Sequence, residues 1–157
     1  MAIKVFNQYR IRRSLSQASA MKKLVDGNIF AQYKDIIMIS AIIGYNENRY
    51  VPIDKFSEPI LMQFFKDRDY DIIDLIVFSH KKDQSVLKEQ EKYEVFESYA
   101  HGGFPILLKK LGLDNIDDIE TFSEDDTRNI QKKYYNLLIS DSFLPKKVEV
   151  TDEDLFI

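Results

Sequence analysis

The segment Tyr33-Lys-Asp-Ile-Ile-Met-Ile-Ser-Ala-Ile-Ile-Gly-Tyr45 decides the fold, because as a helix it is apolar on every side. An acid at Asp35 suits the first turn of such a helix, and Gly44 suits its end. A helix without a polar face needs cover from all directions, so it belongs in the centre of a domain. The sequence therefore predicts a mainly α-helical fold arranged around this segment.

Apolar residues at helical spacing continue on both sides of the central segment. They predict five further helices, over residues 14–24, 69–82, 85–103, 105–111 and 123–139. Pro59 is expected to open a helical turn over residues 60–65. Short strands are expected near residues 3–11 and 49–53, where β-branched and aromatic residues fall together. The inward positions of these patterns predict a core that includes Ile37, Ile43, Ile73, Ile76 and Phe96.

Length and composition limit the chain to one domain. It has 157 residues, of which 45% are hydrophobic, and this supports a core without disulfide bonds. We expect a single compact multi-helix domain over residues 1–144, with a basic arm at 1–13, an acidic linker at 114–126 and a mobile tail at 145–157. The chain has no cysteine, which excludes disulfides, thiolate nucleophiles and cysteine-ligated metals. It has neither an apolar run of membrane-spanning length nor a secretory leader, so a cytoplasmic location is expected.

The formal charge of −4 divides unevenly along the chain. Residues 1–34 contain seven basic residues and one acid, whereas residues 114–126 contain seven acids and no base. A basic arm on an acidic body predicts contact with nucleic acid, with an acidic partner, or with the protein's own acidic surface. The sequence pI of about 5.3 argues against a general nucleic-acid binder. The candidate binding residues for a partner or for DNA are Arg10, Arg12, Arg13, Lys22 and Lys23.

The string from Tyr99 to Pro105, Tyr-Ala-His-Gly-Gly-Phe-Pro, is the most distinctive in the chain. Gly102 and Gly103 are expected to end one helix, with Pro105 starting the next, which builds a tight corner. The alternative is an anion site at His101, Gly102 and Gly103, where exposed amides and the following helix start would face the ligand. The pair lacks the surrounding pattern of a phosphate-binding glycine motif.

Asp67, Asp71 and Asp74 lie at i, i+4 and i+7, so a continuous helix would align three carboxylates. Such a set is found in the magnesium sites of nucleases and also on solvated helix edges. The two histidines, His80 and His101, match no metal-binding spacing. We therefore expect no enzymatic activity, no metal and no cofactor. The alternative is a metal-dependent nuclease or phosphodiesterase that uses this carboxylate edge.

Six stretches of the sequence form a recognisable set. They are Arg10-Ile-Arg-Arg13, Tyr33 to Tyr45, Arg49-Tyr-Val-Pro-Ile53, Glu58-Pro-Ile60, Asp71 to Phe78 and Phe96-Glu-Ser-Tyr-Ala-His-Gly-Gly103. Together they resemble a small bacterial family encoded beside DNA phosphorothioation (Dnd) gene clusters. The likeness covers residues 10–111 and leaves residues 114–157 outside. His101 departs from the small polar residue expected there.

The resemblance implies a setting in modification-linked defence against foreign DNA, and it transfers no catalytic residue. We therefore expect an accessory or adaptor protein of a DNA-modification or phage-defence system. On this interpretation the protein acts through protein partners, with weak contact to DNA at most.

Overall fold

The structure is a computed structural model that describes residues 10–81 and 89–140. Within them, the chain forms five α-helices and one short antiparallel pair of strands, β1 (Arg10–Ile11) and β2 (Ile60–Leu61). The helices are α1 (Leu15–Asp26), α2 (Tyr33–Asn46), α3 (Asp67–Lys81), α4 (Glu89–Lys110) and α5 (Glu124–Ser140). Two 3₁₀ turns, Met62–Phe64 and Ile116–Asp118, complete the described elements. The predicted mainly α-helical fold is confirmed.

The central helix of the fold is α2, as the sequence predicts. Every residue from Ile36 to Tyr45 is buried, and the most extensive packing of α2 is against α4. The predicted core residues Ile37, Ile43, Ile73, Ile76 and Phe96 are all buried in one hydrophobic cluster. An all-apolar helix is thus covered on all sides by its neighbours.

The predicted corner at Gly102-Gly103 is wrong, because α4 runs without a break from Glu89 to Lys110. The two glycines let this helix approach other backbone closely. A Cβ atom at Gly103 would overlap the carbonyl oxygen of Ser40 in α2, and one at Gly102 would overlap that of Arg49. Gly44 in α2 has the same relation to the carbonyl of Tyr99 in α4. Small residues therefore bring α2 and α4 into backbone contact.

Pro105 lies inside α4, where proline normally breaks a helix. It has no N–H to donate to the carbonyl of His101, four residues earlier. That carbonyl instead accepts a hydrogen bond from Gln17 Nε2 in α1, at 3.0 Å. A side chain from another helix thus replaces the missing backbone donor, which is a contact that the local sequence cannot indicate.

The strand predictions are correct only in part. Residues 10–11 form β1, while residues 3–9 lie outside the described part. The pairing partner of β1 is Ile60–Leu61, with Arg10 opposite Leu61 and Ile11 opposite Ile60. The expected strand at 49–53 is absent, and the expected helical turn at 60–65 is reduced to the 3₁₀ turn Met62–Phe64. Pairing with β1 holds residues 60–61 extended.

A serine precedes both α1 and α5, but only the one before α5 caps its helix. At α5, Asp126 N donates to Ser123 Oγ and Ser123 N donates to Asp126 Oδ2, which forms a capping box. At α1, Ser14 precedes the helix but its hydroxyl pairs with that of Ser16 instead of capping it. The predicted start near residue 85 and the tail at 145–157 lie outside the described residues.

Candidate partner-binding site

Residues 10–15 are part of the fold. They run antiparallel to residues 55–61, and this pairing extends beyond β1 and β2. Ser57 N donates to the Arg13 carbonyl and Leu15 N donates to the Lys55 carbonyl, each at 2.8 Å. From Arg10 onward the predicted basic arm is therefore docked along its own chain.

Arg12 is held by a buried acid on α4. Its Nε and Nη2 donate to the two carboxylate oxygens of Glu97, at 3.0 and 2.8 Å, and its backbone N donates to the same group at 2.7 Å. The Glu97 side chain is only 3% exposed, and the ring of Phe56 lies 3.9 Å from the guanidinium. Burial raises the pKa of the Glu97 carboxyl, although the hydrogen bonds from Arg12 oppose that rise. Arg12 thus fastens the first strand to α4.

Arg13 has a different environment, because it is buried and the described part of the chain gives it no acidic partner. The residue is 7% exposed, its Nε donates to the backbone carbonyl of Glu58 at 2.9 Å, and its guanidinium lies 4.2 Å from the ring centroid of Tyr33. In residues 10–81 and 89–140, no carboxylate oxygen lies within 4.0 Å of its nitrogens. In the same part of the chain, the two terminal nitrogens of the Arg13 guanidinium, Nη1 and Nη2, have no hydrogen-bond acceptor.

The Arg13 side chain lines a groove of about 460 Å³, which we call the Arg13 groove. Most of its walls are apolar and are formed by Val25, Ala31, Pro59, Ile60, Leu61 and Phe64. The second cation at the groove, Lys34, is matched by Asp69 at 2.9 Å and Asp35 at 3.9 Å. The arrangement can accept a negatively charged group that is attached to an apolar body.

A family model covers most of the chain that carries these features. It is the model of DNA sulphur modification system-associated protein 4, and it matches residues 10–136. The chain belongs to this family. Comparison with curated proteins and with solved structures gave no match.

The family match corrects the extent of the resemblance. It reaches residue 136, so the acidic linker and most of α5 are family features, although residues 114–157 were expected to lie outside. The suspected link to Dnd-type DNA modification is confirmed by the match. In this member of the family, the Arg13 groove is formed entirely by residues inside the matched range.

The other predicted binding residues of this family member lie apart from the groove. Arg10 is exposed on β1. Lys22 pairs with Asp26 on the surface of α1, and Lys23 Nζ donates to the carbonyls of Ile116 and Asp117 at 2.9 and 3.0 Å. The structure therefore does not gather the five predicted residues into one site.

The alternative of an anion site at His101, Gly102 and Gly103 lacks the helix start that it assumed. All three residues lie in the middle of α4, so there is no helix start at Pro105 to face an anion. His101 Nδ1 instead lies 2.9 Å from the Val51 carbonyl. The other histidine, His80, hydrogen-bonds to the hydroxyl of Tyr99 through Nδ1.

The three carboxylates at the edge of α3 have different environments. Asp67 and Asp71 are exposed, whereas Asp74 Oδ1 lies 3.0 Å from Lys92 Nζ of α4. Residues 10–81 and 89–140 contain no group of three or more histidine, aspartate or glutamate side chains that could hold a metal ion.

In that same part of the chain, all helices are too short or too polar to span a membrane.

Proposed function

We propose that this protein is an accessory protein of a DNA sulphur modification system, and that it acts by binding a protein component of that system. The family supports the setting. The observation that carries the binding role is Arg13, a buried cation that faces an apolar groove and has no acidic partner among residues 10–81 and 89–140. The action takes place in the cytoplasm on this proposal.

Arg13 supports a binding role because buried charges in proteins are normally paired. The contact with the Tyr33 ring and the hydrogen bond to the backbone carbonyl of Glu58 hold the guanidinium but do not neutralise it. A partner that brings an acidic group into the groove would supply the missing charge. The site gains its full electrostatic stabilisation only in the complex.

Affinity purification from a host that contains the modification system tests the proposal. The full-length tagged protein is compared with Arg13→Met and with Arg10→Met, which changes an exposed arginine three residues away. We expect mass spectrometry to identify modification-system proteins with the wild type and with Arg10→Met, and their loss with Arg13→Met. Thermal melts confirm that each variant is folded. Equal capture by all three proteins would contradict the proposal.

We also propose that binding, and not catalysis, is the role of this protein. The ion pair between Asp74 and Lys92 supports this, because it removes one carboxylate from the set that a metal would need. The test is incubation with modified and unmodified plasmid in the presence of magnesium or manganese. We expect intact plasmid, whereas cleavage that disappears in Asp71→Ala would identify a nuclease.

A further inference from the structure

We infer that the Arg13 groove binds a short segment of the partner in which one carboxylate side chain neighbours a bulky apolar side chain. This inference rests on the proposed function and specifies the chemistry of the ligand. Three features of the groove support it: its charge, the shape of the available donors, and its walls.

The charges that line the groove favour a ligand with a single negative group. Arg13 has no acidic partner in the described part of the chain, while Lys34 is matched by Asp69 and Asp35. Glu58 also lines the groove and adds a negative charge at its edge. One anionic group is therefore attracted by Arg13, and a second one would meet no unpaired cation.

The donors that remain on Arg13 fit a carboxylate. Nε is engaged by the Glu58 carbonyl, so the two terminal nitrogens are the ones left for a ligand. A pair of guanidinium nitrogens matches the two oxygens of a carboxylate in one plane. The ring of Tyr33 lies 4.2 Å from the Arg13 guanidinium carbon and blocks the approach of a ligand from that side.

The walls of the groove favour an apolar residue next to that carboxylate. Pro59, Ile60 and Leu61 form one continuous stretch of wall, and Phe64 is 49% exposed beside them. A bulky apolar side chain that covers these surfaces would remove them from water. The combination of one charge and a broad apolar surface is typical of peptide grooves.

The same features argue against a nucleic acid as the ligand. A duplex carries a charge about every 1.7 Å along its axis, and proteins that bind it present several cations to the phosphates. The Arg13 groove offers one unpaired cation beside apolar walls and Glu58. We therefore commit to a protein segment as its occupant.

Peptide selection on the full-length protein tests the inference. A phage-displayed library of random dodecapeptides is selected on the wild type and counter-selected on Arg13→Met. We expect the enriched peptides to share an aspartate or glutamate within two positions of a leucine, isoleucine or phenylalanine. Enrichment of peptides without a carboxylate, or failure to enrich any, would overturn the inference.

Synthetic peptides then separate the two parts of the ligand. Replacing the carboxylate by its amide should weaken binding to the wild type by about tenfold or more, because a charged hydrogen bond is lost. The same replacement should have no effect on Arg13→Met, and Arg10→Met should behave as the wild type. Phe64→Ser should weaken the binding of the carboxylate peptide and of its amide analogue by the same factor. If Arg13→Met does not fold, the amide series on the wild type and the Phe64→Ser variant decide the question.

The two proposals fail in different ways. If the captured partner depends on Arg13 but the selected peptides ignore the carboxylate, only the ligand chemistry is wrong. If the peptides bind as expected but capture of the modification-system proteins ignores Arg13, the proposed function is wrong. Displacement of the peptide by a short DNA duplex at equal concentration would assign the groove to nucleic acid instead.

Discussion

At the scale of single residues, the bond between Arg12 and Glu97 should dominate the stability of the N-terminal segment. Arg12→Ala leaves the buried Glu97 carboxylate without its charged partner and with only the backbone N–H of residue 12 as a donor. We expect a loss of about 3 kcal/mol in the free energy of unfolding, measured by urea denaturation. The exposed pair of Lys22 and Asp26 is the control, since Lys22→Ala should leave the free energy of unfolding nearly unchanged. A similar small change in both variants would contradict the structural role of Arg12.

Tyr99 gives a pH dependence that can be measured. Burial, followed by the nearby Tyr45 and Tyr50, raises the pKa of Tyr99 to about 12. The unfolded chain loses this proton near pH 10, so between about pH 10 and 12 the folded state binds more protons and its stability falls as the pH rises. Tyr99→Phe should reduce that loss by about 1–2 kcal/mol when unfolding is compared at pH 9 and 11.5.

The control for this titration is Tyr135→Phe, because Tyr135 is 56% exposed. It should leave the pH dependence of unfolding close to that of the wild type. Tyr134, whose pKa burial also raises to about 12, remains in both variants, and Tyr135→Phe removes only the smallest of the three causes of that rise. Identical curves for Tyr99→Phe and the wild type would show that Tyr99 is not buried as described.

The burial of Arg13 was within reach of the sequence and was missed. Alternation along an extended segment places Arg13 on the same side as Ile11, which is fully buried, and places Arg10 and Arg12 on the other. The prediction of one basic arm places Arg13 with Arg10 and Arg12, although the alternation puts Arg13 on the opposite side from them. Two residues contact Arg13, namely Tyr33 and Glu58. These contacts could not be predicted, because both residues come from other parts of the chain.

At the scale of elements, the contact between α2 and α4 depends on Gly103. Alanine normally stabilises a helix relative to glycine by about 1 kcal/mol. Here the added methyl would overlap the Ser40 carbonyl, so Gly103→Ala should destabilise the protein by about 2–3 kcal/mol in urea denaturation. Glu91→Ala, on the exposed face of the same helix, should be nearly neutral. Stabilisation by Gly103→Ala would show that the helices are farther apart.

The bond from Gln17 to the His101 carbonyl should be coupled to Pro105. In the wild type, Gln17→Leu leaves that carbonyl without a donor and should cost about 1–2 kcal/mol. In a Pro105→Ala background, the new N–H at residue 105 can serve the carbonyl, so the same change should cost less than half as much. A double-mutant cycle measures the difference, and additive effects would exclude the coupling.

The sequence predicts the helices well but cannot assign the junction in α4. A Gly-Gly pair followed by proline has the same local pattern whether the chain turns or continues as a helix. Tertiary contacts decide between the two outcomes. The backbone of Ser40 lies against Gly103, and Gln17 supplies the hydrogen-bond donor that Pro105 lacks. By contrast, the all-apolar composition of α2 was sufficient to identify the centre of the fold.

At the scale of the whole molecule, basic residues of the segment 1–34 pair with acids elsewhere in an acidic chain. Arg12 meets Glu97, Lys34 meets Asp69, and residues 35–157 carry a net charge of −10. We expect weak binding to a labelled duplex, with a log–log salt slope no steeper than about −1.8, which corresponds to about two phosphate contacts. Tight binding with a steep slope that is lost in Arg10→Ala would identify a DNA-binding surface.

The Arg13 groove is assembled from residues 13, 25–34 and 58–64, which are distant in sequence. It therefore exists only after residues 10–15 have aligned with residues 55–61. A partner that fits the groove selects completed molecules, and its binding energy adds to their stability by mass action. If the protein acts as proposed, its partner would therefore bind only folded molecules, because the groove is absent from a chain that has not finished folding.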